Sequence, residues 1–510
     1  MLRFLLYCFK LWNSNSVNII YDTYLGTIFE IPQECSHLIG MLENTSKLHA
    51  FDEESLKGLL NNLLSKGGNF LSAQCEAFLK MLLTYIENWR VDENFDFSGI
   101  LSRDFYSSYL SKQGFYILLL EVTTACNMRC KYCGYSGLYI KARTHGNISM
   151  NFKTARKAID LYLSLLDKYK LDNPYREPRI SFFGGEPLLN IRLIKDVVKY
   201  VKARIKDEFN VEFSMTTNGT LLNTDVIEFL VDNNFNVAVS LDGPKEEHNR
   251  NRVFPGGRGS FDVVFENIQK YFDIAKSKGV DPRIGVIAVY DVRTNLMKLN
   301  EFFNEIKYLI HDLMIEPVSY YGTTYYEKFS RADFERFYWQ LGSLEQDFIH
   351  NYLLNGRWKI EENIFYDSFF GKSLILLYST SRTSLPPTLI PSRISCLPGF
   401  KLFVNVNGLI TPCEEASDEC IVGDIDHGLD FQKVQLEIKN YFRVRSQCLG
   451  CPLLFACRLC IAKASFGLSK QACSFITNFF RRKLRLLVQV LKYCPEYIEW
   501  LISKSINYTN

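Results

Sequence analysis

Three cysteines, Cys126, Cys130 and Cys133, stand in the run Thr124-Ala-Cys-Asn-Met-Arg-Cys-Lys-Tyr-Cys133 with CxxxCxxC spacing. Thiolates are the protein ligands of four-iron cubes, and three of them leave one iron without a protein ligand. That iron is free to take a chelating small molecule and to pass it one electron. Zinc is the competing tenant, but it wants four ligands and usually takes them as CxxC pairs. No fourth Cys or His lies near this triplet. A second constellation follows far downstream: Cys396 and Cys413 with Gly408 between them, then Cys448, Cys451, Cys457, Cys460 and Cys473, spaced CxxCx5CxxC and a final C. Two CxxC pairs would suit a zinc ribbon. Seven cysteines overfill one such site, and iron-sulfur ligation suits thiolates equally well.

Between the two groups lie Phe182-Phe-Gly-Gly-Glu-Pro-Leu188, Thr216-Thr-Asn-Gly219, Ser240-Leu-Asp-Gly243 and His248-Asn-Arg-Asn-Arg252. Together with the triad, and in this order, they resemble the radical SAM superfamily over roughly residues 115 to 475. The resemblance implies that the open iron chelates the amino and carboxylate groups of S-adenosylmethionine (SAM), and that an electron passed into the sulfonium breaks a C–S bond and releases a carbon radical. It also implies SAM contacts. Gly184, Gly185, Glu186 and Pro187 correspond to a segment whose strand-end backbone and glutamate hold the amino group. Asn218 lies in the second motif, and Ser240 and Asp242 in the third, which contacts the ribose. Arg252 stands where peptide- and sulfatase-modifying relatives bind the carboxylate, and Tyr132 packs near the adenine.

The downstream cysteines resemble the SPASM extension of radical SAM enzymes that modify peptides and proteins, which carries two auxiliary 4Fe-4S clusters. The resemblance assigns Cys448, Cys451, Cys457 and Cys473 to the outer cluster, and Cys396, Cys413 and Cys460 to the inner one. One departure is Cys457-Arg-Leu-Cys460, where the family usually has CxxxC. Sulfatase-maturing relatives add a cysteine just before the first SPASM cysteine, but Ile390-Pro-Ser-Arg-Ile-Ser395 contains none. The inner cube would then keep an iron open to a substrate thiolate, with Cys420 as the rival fourth ligand. Glu414 follows Cys413 where those relatives carry an aspartate proton acceptor; a solvated surface glutamate is the alternative.

The elements that must position these residues are legible as periodicity. Short apolar runs at 116–120, 180–183, 211–215, 237–241, 284–289 and 313–315 read as strands covered on both faces. Helical patterns separate them, the clearest being Ile194, Val197, Val198, Val201 and Ile205. Strand and helix alternating six times imply a parallel α/β sheet with its motifs at the strands' C-terminal ends. Six units predict a partial (β/α)6 barrel over 112–320, the shape of the radical SAM family. A helical insert and linker over 321–390, with Pro386, Pro387 and Pro391, lead to a SPASM domain over 391–480 and a C-terminal helix over 481–510. At the other end, Val17-Asn-Ile-Ile-Tyr-Asp-Thr-Tyr-Leu-Gly-Thr-Ile-Phe-Glu-Ile31 reads as two strands about a turn near Gly26. Helices are expected from Gln33 and from Asp52. This pattern over 1–100 resembles the winged-helix peptide-recognition element fused to maturases of ribosomally made peptides; a structural cap is the plainer alternative.

At 510 residues the chain has room for about three domains. A net charge of +3 gives no case for nucleic acid, and Arg481-Arg-Lys-Leu-Arg485 reads as the wet face of a helix. The apolar stretch Leu2 to Trp12 is interrupted by Arg3 and Lys10 and is too short to span a bilayer. A cytoplasmic, reducing location is expected, without structural disulfides or a membrane partner. Cys8, Cys35, Cys75, Cys420 and Cys494 are read as buried hydrophobes. The expected function is a peptide maturase that crosslinks a precursor peptide bound through its leader, by thioether or carbon-carbon bonds, using an electron donor such as flavodoxin or ferredoxin. The alternatives are an anaerobic formylglycine-forming sulfatase maturase and, from another class, a catalytically silent peptide-binding scaffold.

Overall fold

The computed structural model describes residues 102–174, 176–205, 210–378, 396–448, 451, 453, 457 and 459–507, with the strands at 8–13, 17–22 and 27–32 and the helical positions 58, 61, 76 and 80. Strands β1 (Cys8–Asn13), β2 (Val17–Asp22) and β3 (Thr27–Pro32) form an antiparallel sheet in that order. Asp22 pairs with Thr27, so the expected strands around Gly26 form a hairpin. The strand in front of them, β1, was not anticipated, because its residues fell in a stretch weighed only as a targeting segment. The helices expected from Gln33 and Asp52 lie largely outside the described residues.

After α1 (Arg103–Gln113), strand β4 (Ile117–Thr123) opens the central sheet. There follow α2 (Phe152–Lys168), β5 (Arg179–Gly184), α3 (Ile191–Ile205), β6 (Glu212–Thr217), α4 (Thr224–Asp232) and β7 (Asn236–Ser240). Then come α5 (Lys245–Asn251), α6 (Phe261–Ser277), β8 (Ile284–Tyr290), α7 (Leu296–Glu305) and β9 (Asp312–Pro317). Strands β4 to β9 pair in chain order and in parallel. Asn151 and Asn223 start α2 and α4 by accepting the Thr154 and Val226 amide protons. The stripe Ile194, Val197, Val198, Val201 and Ile205 is buried against the sheet, each side chain contributing about 1.5–3 kcal/mol.

The strand faces differ from expectation in one respect. Along β5, β6 and β8, buried residues alternate with half-buried ones. Ile180 and Phe182 join the core, while Ser181 and Phe183 are only half-buried. An arc of six strands covers its outer face with helices and leaves its inner face partly open.

The chain then runs through α8 (Arg331–Asp347), opened by a Ser330–Asp333 capping box, a π-helical turn over Phe348–Leu354, and α9 (Lys372–Tyr378). Strand β10 (Lys401–Val404) pairs in parallel with the free edge of β4, and β11 (Leu409–Thr411), β12 (Gly423–Asp424) and β13 (Gly428–Leu429) extend the sheet antiparallel. Gly408 turns the β10–β11 hairpin at φ 83°; a Cβ there would lie 2.7 Å from Ile425 Cδ1.

Helices α10 (Phe431–Ser446), α11 (Lys470–Tyr493) and α12 (Glu496–Asn507) complete the chain. The boundary expected at 480/481 falls inside α11. That helix packs on the insert: Arg482 grips Glu345 with two bonds of 3.0 and 2.6 Å, and Lys483 Nζ donates to Ser373 Oγ at 2.6 Å. The basic run is therefore only partly a wet face. Among the described residues no helix is long and apolar enough to cross a membrane.

Candidate functional site

The cysteine triad sits on the loop that leaves β4, and two other loops hold it. Gly185 N and Glu186 N donate to Thr123 O and Ala125 O at 2.9 and 2.8 Å, and Arg129 N and Lys131 N donate to Val253 O and Asn251 O at 2.8 and 2.9 Å. Backbones approach so closely here that a Cβ on Gly184 would lie 2.3 Å from Thr123 O, and one on Gly185 2.2 Å from Ala125 O. Close approach, rather than a turn, explains the paired glycines.

Two backbone amides aim at sulfur: Met128 N at Cys126 Sγ and Tyr135 N at Cys133 Sγ, both at 3.4 Å. Burial pushes the thiol of Cys126 up to about 11, with charge on Glu186 and Cys133 adding to it, and that of Cys130 up to about 12, where Arg252 opposes and Cys133, Asp242 and Cys126 add. Burial raises Cys133 as well. Three half-buried sulfurs that share one field ionise at a cost that a cationic cluster offsets. With three thiolates and no fourth, the donor set fits a 4Fe-4S cube with an open iron.

Glu186 is placed differently from the expectation that its side chain faces SAM. It is 0% exposed. Its Oε1 accepts from Thr217 Oγ1 at 2.6 Å and Leu188 N at 3.1 Å, and its Oε2 from Asn218 N at 2.7 Å. The carboxylate thus pins the end of β5 to the end of β6, and Pro187, also buried, follows it into a short helical turn. Asn218 reaches the triad, with Nδ2 donating to Asn127 Oδ1 at 2.9 Å and lying 3.9 Å from Cys126 Sγ.

Asp242, Arg252 and Tyr132 form one buried knot. Asp242 Oδ1 accepts from Arg252 Nε at 2.9 Å and Val289 N at 3.1 Å, and its Oδ2 accepts from the Tyr132 hydroxyl at 2.5 Å. The Arg252 guanidinium carbon lies 5.5 Å from the Tyr132 ring centroid. His248 closes the knot from behind, an arrangement not anticipated from the sequence. Its Nδ1 accepts from Asp242 N at 3.3 Å, its Nε2 meets Ser260 Oγ at 2.9 Å, and that hydroxyl donates to Arg252 O at 3.2 Å. This assigns the neutral tautomer, and burial lowers the ring to about 4. Ser240, at the end of β7, is buried nearby.

A second ring of contacts was also missed. Buried Asp291 takes Arg250 Nη1 and the Tyr325 hydroxyl at 2.6 Å each and Asn251 Nδ2 at 3.3 Å. Burial opposes its ionisation, but Arg250 holds its carboxyl below the usual range. It thereby steadies the 251–253 strip that grips the triad loop. Thr217 and His248 lie inside motifs read for their neighbours, and Asp291 lies in none, so no signal marked these three for this role.

The downstream cysteines form two neighbourhoods. Burial raises the Cys448 thiol to about 11, Arg445 pulls it down, and Cys451, Cys457 and Cys473 push it up. Those four therefore share one field. Cys460 feels Cys396, and Cys413 feels Cys460. Cys420, 4% exposed, packs in one cluster with Cys413 and Cys460; Cys494 is buried too. Glu414 Oε1 accepts from Lys401 Nζ at 2.9 Å, while its Oε2 is buried without a hydrogen-bond partner. Among the described residues no group of three or more His, Cys, Asp or Glu is arranged for a single metal ion.

Residues 120–323 match the Radical SAM superfamily. They form a radical SAM domain, and the chain is a radical SAM enzyme. It is similar to the cysteine-type anaerobic sulfatase-maturating enzyme of Clostridium novyi (strain NT), with 24% identity over 320 residues, 61% of this chain and 76% of that enzyme. It is also similar to the radical SAM cyclopropyl synthase TigE of Paramaledivibacter caminithermalis, with 24% identity over 247 residues, 46% of this chain and 48% of TigE. A solved structure of native anSMEcpe with bound AdoMet and Cp18Cys peptide shares the fold, with a TM-score of 0.53 at 21% identity over 73% of this chain and 98% of that one.

Proposed function

We propose that the chain is a cytoplasmic maturase that modifies a ribosomally made precursor peptide by radical SAM chemistry. The observation that carries this reading is the shared sheet: the triad leaves β4, and Cys396 and Cys413 flank the β10–β11 hairpin that pairs with it. Two cysteine groups attached to neighbouring strands suit an enzyme that generates a radical at one and handles the substrate beside the other. Support comes from the sulfatase-maturating relatives and from the bound peptide beside AdoMet in the shared fold.

In this reading Cys126, Cys130 and Cys133 hold the cluster that supplies the electron for SAM cleavage. Tyr132, Asn218, Ser240, Arg252 and the Gly184–Pro187 backbone bind SAM, while two buried carboxylates with protein donors on both oxygens act from behind: Glu186 orients those backbones, and Asp242, expected at the ribose, instead holds Arg252 and Tyr132. Cys448, Cys451, Cys457 and Cys473 hold an outer auxiliary cluster. Cys396, Cys413 and Cys460 hold an inner one with a position open to a substrate thiolate, for which Cys420, packed in one cluster with Cys413 and Cys460, is the rival ligand. Crosslinking exchanges a C–H and an S–H bond for one C–S bond: the 5'-deoxyadenosyl radical would take the hydrogen atom from carbon, the unpartnered Oε2 of Glu414 the thiol proton, and an auxiliary cluster the one electron left as the C–S bond forms. The N-terminal sheet captures the leader by strand addition, and a flavodoxin or ferredoxin delivers electrons.

The second reading, formylglycine formation, is favoured by the coverage of the Clostridium enzyme. Mass spectrometry separates the two. Anaerobically reconstituted, reduced protein is given SAM and either an 18-residue Cys-containing sulfatase peptide or a short Cys-rich peptide encoded beside the gene. Crosslinking removes a pair of hydrogens and keeps the sulfur, whereas formylglycine formation loses it. 5'-Deoxyadenosine formed with neither peptide altered would sink both.

A further inference from the structure

The excursion after the triad, residues 134–149, is sewn to two distant segments. Ile140 N donates to Gly322 O at 2.8 Å, and Thr324 N to Leu138 O at 3.1 Å. On its other side Ser417 Oγ donates to Lys141 O at 2.8 Å, and Lys141 Nζ meets Glu419 Oε2 at 2.9 Å. Between these contacts lies Arg143, 8% exposed. Its Nη2 donates to the carbonyls of Glu414 and Ala416 at 3.2 and 3.3 Å, and its Nε meets Asp418 Oδ1 at 2.8 Å. Its Nη1 meets Glu121 Oε1 at 3.3 Å, and its guanidinium carbon lies 4.3 Å from the Phe403 ring centroid.

Each partner belongs to an element that carries a cysteine group. Glu121, 2% exposed, sits on β4 just ahead of the triad loop and also accepts from Val406 N at 3.3 Å. Phe403 lies on β10, and Glu414 and Ala416 belong to the loop that begins at Cys413. A buried guanidinium is costly unless its fork is filled, and here all three nitrogens have partners. Lysine, a compact point charge, could not span two carbonyls and two carboxylates at once.

We propose that Arg143 is a positioning residue that fixes the Cys413 loop against the end of β4, and so sets the spacing between the radical-generating triad and the inner auxiliary site. This rests on the auxiliary-cluster reading given above. Loosening the clamp leaves SAM cleavage running while its coupling to product falls.

The test uses full-length, anaerobically reconstituted Arg143→Met and Arg143→Lys. A parallel set carries the triad as Cys126→Ala, Cys130→Ala and Cys133→Ala, so that EPR and iron content report the auxiliary clusters alone. Arg143→Met is expected to alter the inner-cluster EPR signal and to cut product per 5'-deoxyadenosine by about tenfold or more, since a misplacement of about 1 Å can cost about a hundredfold. SAM cleavage itself should stay within about twofold, because the SAM knot is untouched. Arg143→Lys should keep the altered signal; full rescue would reduce Arg143 to a charge partner and overturn the proposal. Should Arg143→Met fail to fold, Glu121→Gln with Arg143→Met leaves no buried charge unpaired and is read the same way. Auxiliary iron that is present but unmoved, with unchanged coupling, overturns the proposal alone. A triad-less parent without auxiliary iron overturns the auxiliary-cluster reading and the proposal with it.

Discussion

Asp242→Asn exposes the energetics of the buried Asp242–Arg252–Tyr132 knot. Asp242 is 2% exposed and Arg252 7%, and their contact is 2.9 Å. With an effective dielectric of about 20, opposite charges at that separation attract by about 6 kcal/mol. The variant forfeits this and strands a guanidinium in the interior, while recovering part of the desolvation cost of the lost carboxylate. The net loss expected for a buried pair broken on one side is about 3–5 kcal/mol. The Val289 amide, which donates to Asp242 Oδ1, offers a local probe: its hydrogen exchange should accelerate by at least about a hundredfold, the equivalent of about 3 kcal/mol. Adding Arg252→Met should restore most of the protection, because the buried charge is gone, but not SAM cleavage if Arg252 binds SAM as proposed. A single variant that costs less than about 1 kcal/mol, the scale of an exposed pair, or a double variant that is simply additive, would refute the reasoning.

Gly185→Ala should drive a Cβ to 2.2 Å from Ala125 O; because the clash is with backbone, about 1–3 kcal/mol of strain is expected, seen as iron lost from the triad with the downstream clusters intact. Full iron in that variant would contradict the close-approach account. Iron analysis of anaerobic protein should give about twelve irons per chain and about eight after triple substitution of the triad, against about four irons and one or two zincs for a zinc ribbon. His248 is held neutral, its pKa lowered from 6.5 to about 4 by burial. The native state therefore binds fewer protons than the unfolded chain, and stability present above pH 6.5 is lost as the pH falls toward 4, by about 3 kcal/mol in all. His248→Gln should flatten that part of the stability-pH curve, and an unchanged slope would count against the burial assignment.

What could be read from the residues and what could not divide along a physical line. The triad and the strands β4 to β9 were legible because ligand chemistry and strand packing impose residue types at short, regular intervals. The stripe on α3 follows the same logic, and Gly408 could be singled out before its turn was seen. The half-open inner face was missed because an apolar run looks alike whether its second side meets a helix or the lumen of an incomplete barrel. Glu186 was matched to SAM by its motif, which records identity and not rotamer; in the structure its carboxylate accepts hydrogen bonds from Leu188 N, Thr217 Oγ1 and Asn218 N. Arg143 left no trace at all. Its partners lie on β4, on β10 and after Cys413, so it answers to no period, and no spacing in the chain says that a lone arginine in Lys141-Ala-Arg-Thr-His145 will fill one buried fork. First ligands are written locally, whereas the groups that aim them are chosen by the fold, from whichever segments it happens to bring within hydrogen-bond reach. If that is right, substitutions at Asp291, His248 and Arg143 should shift coupling and spectra more than iron content, and substitutions in the triad should do the reverse.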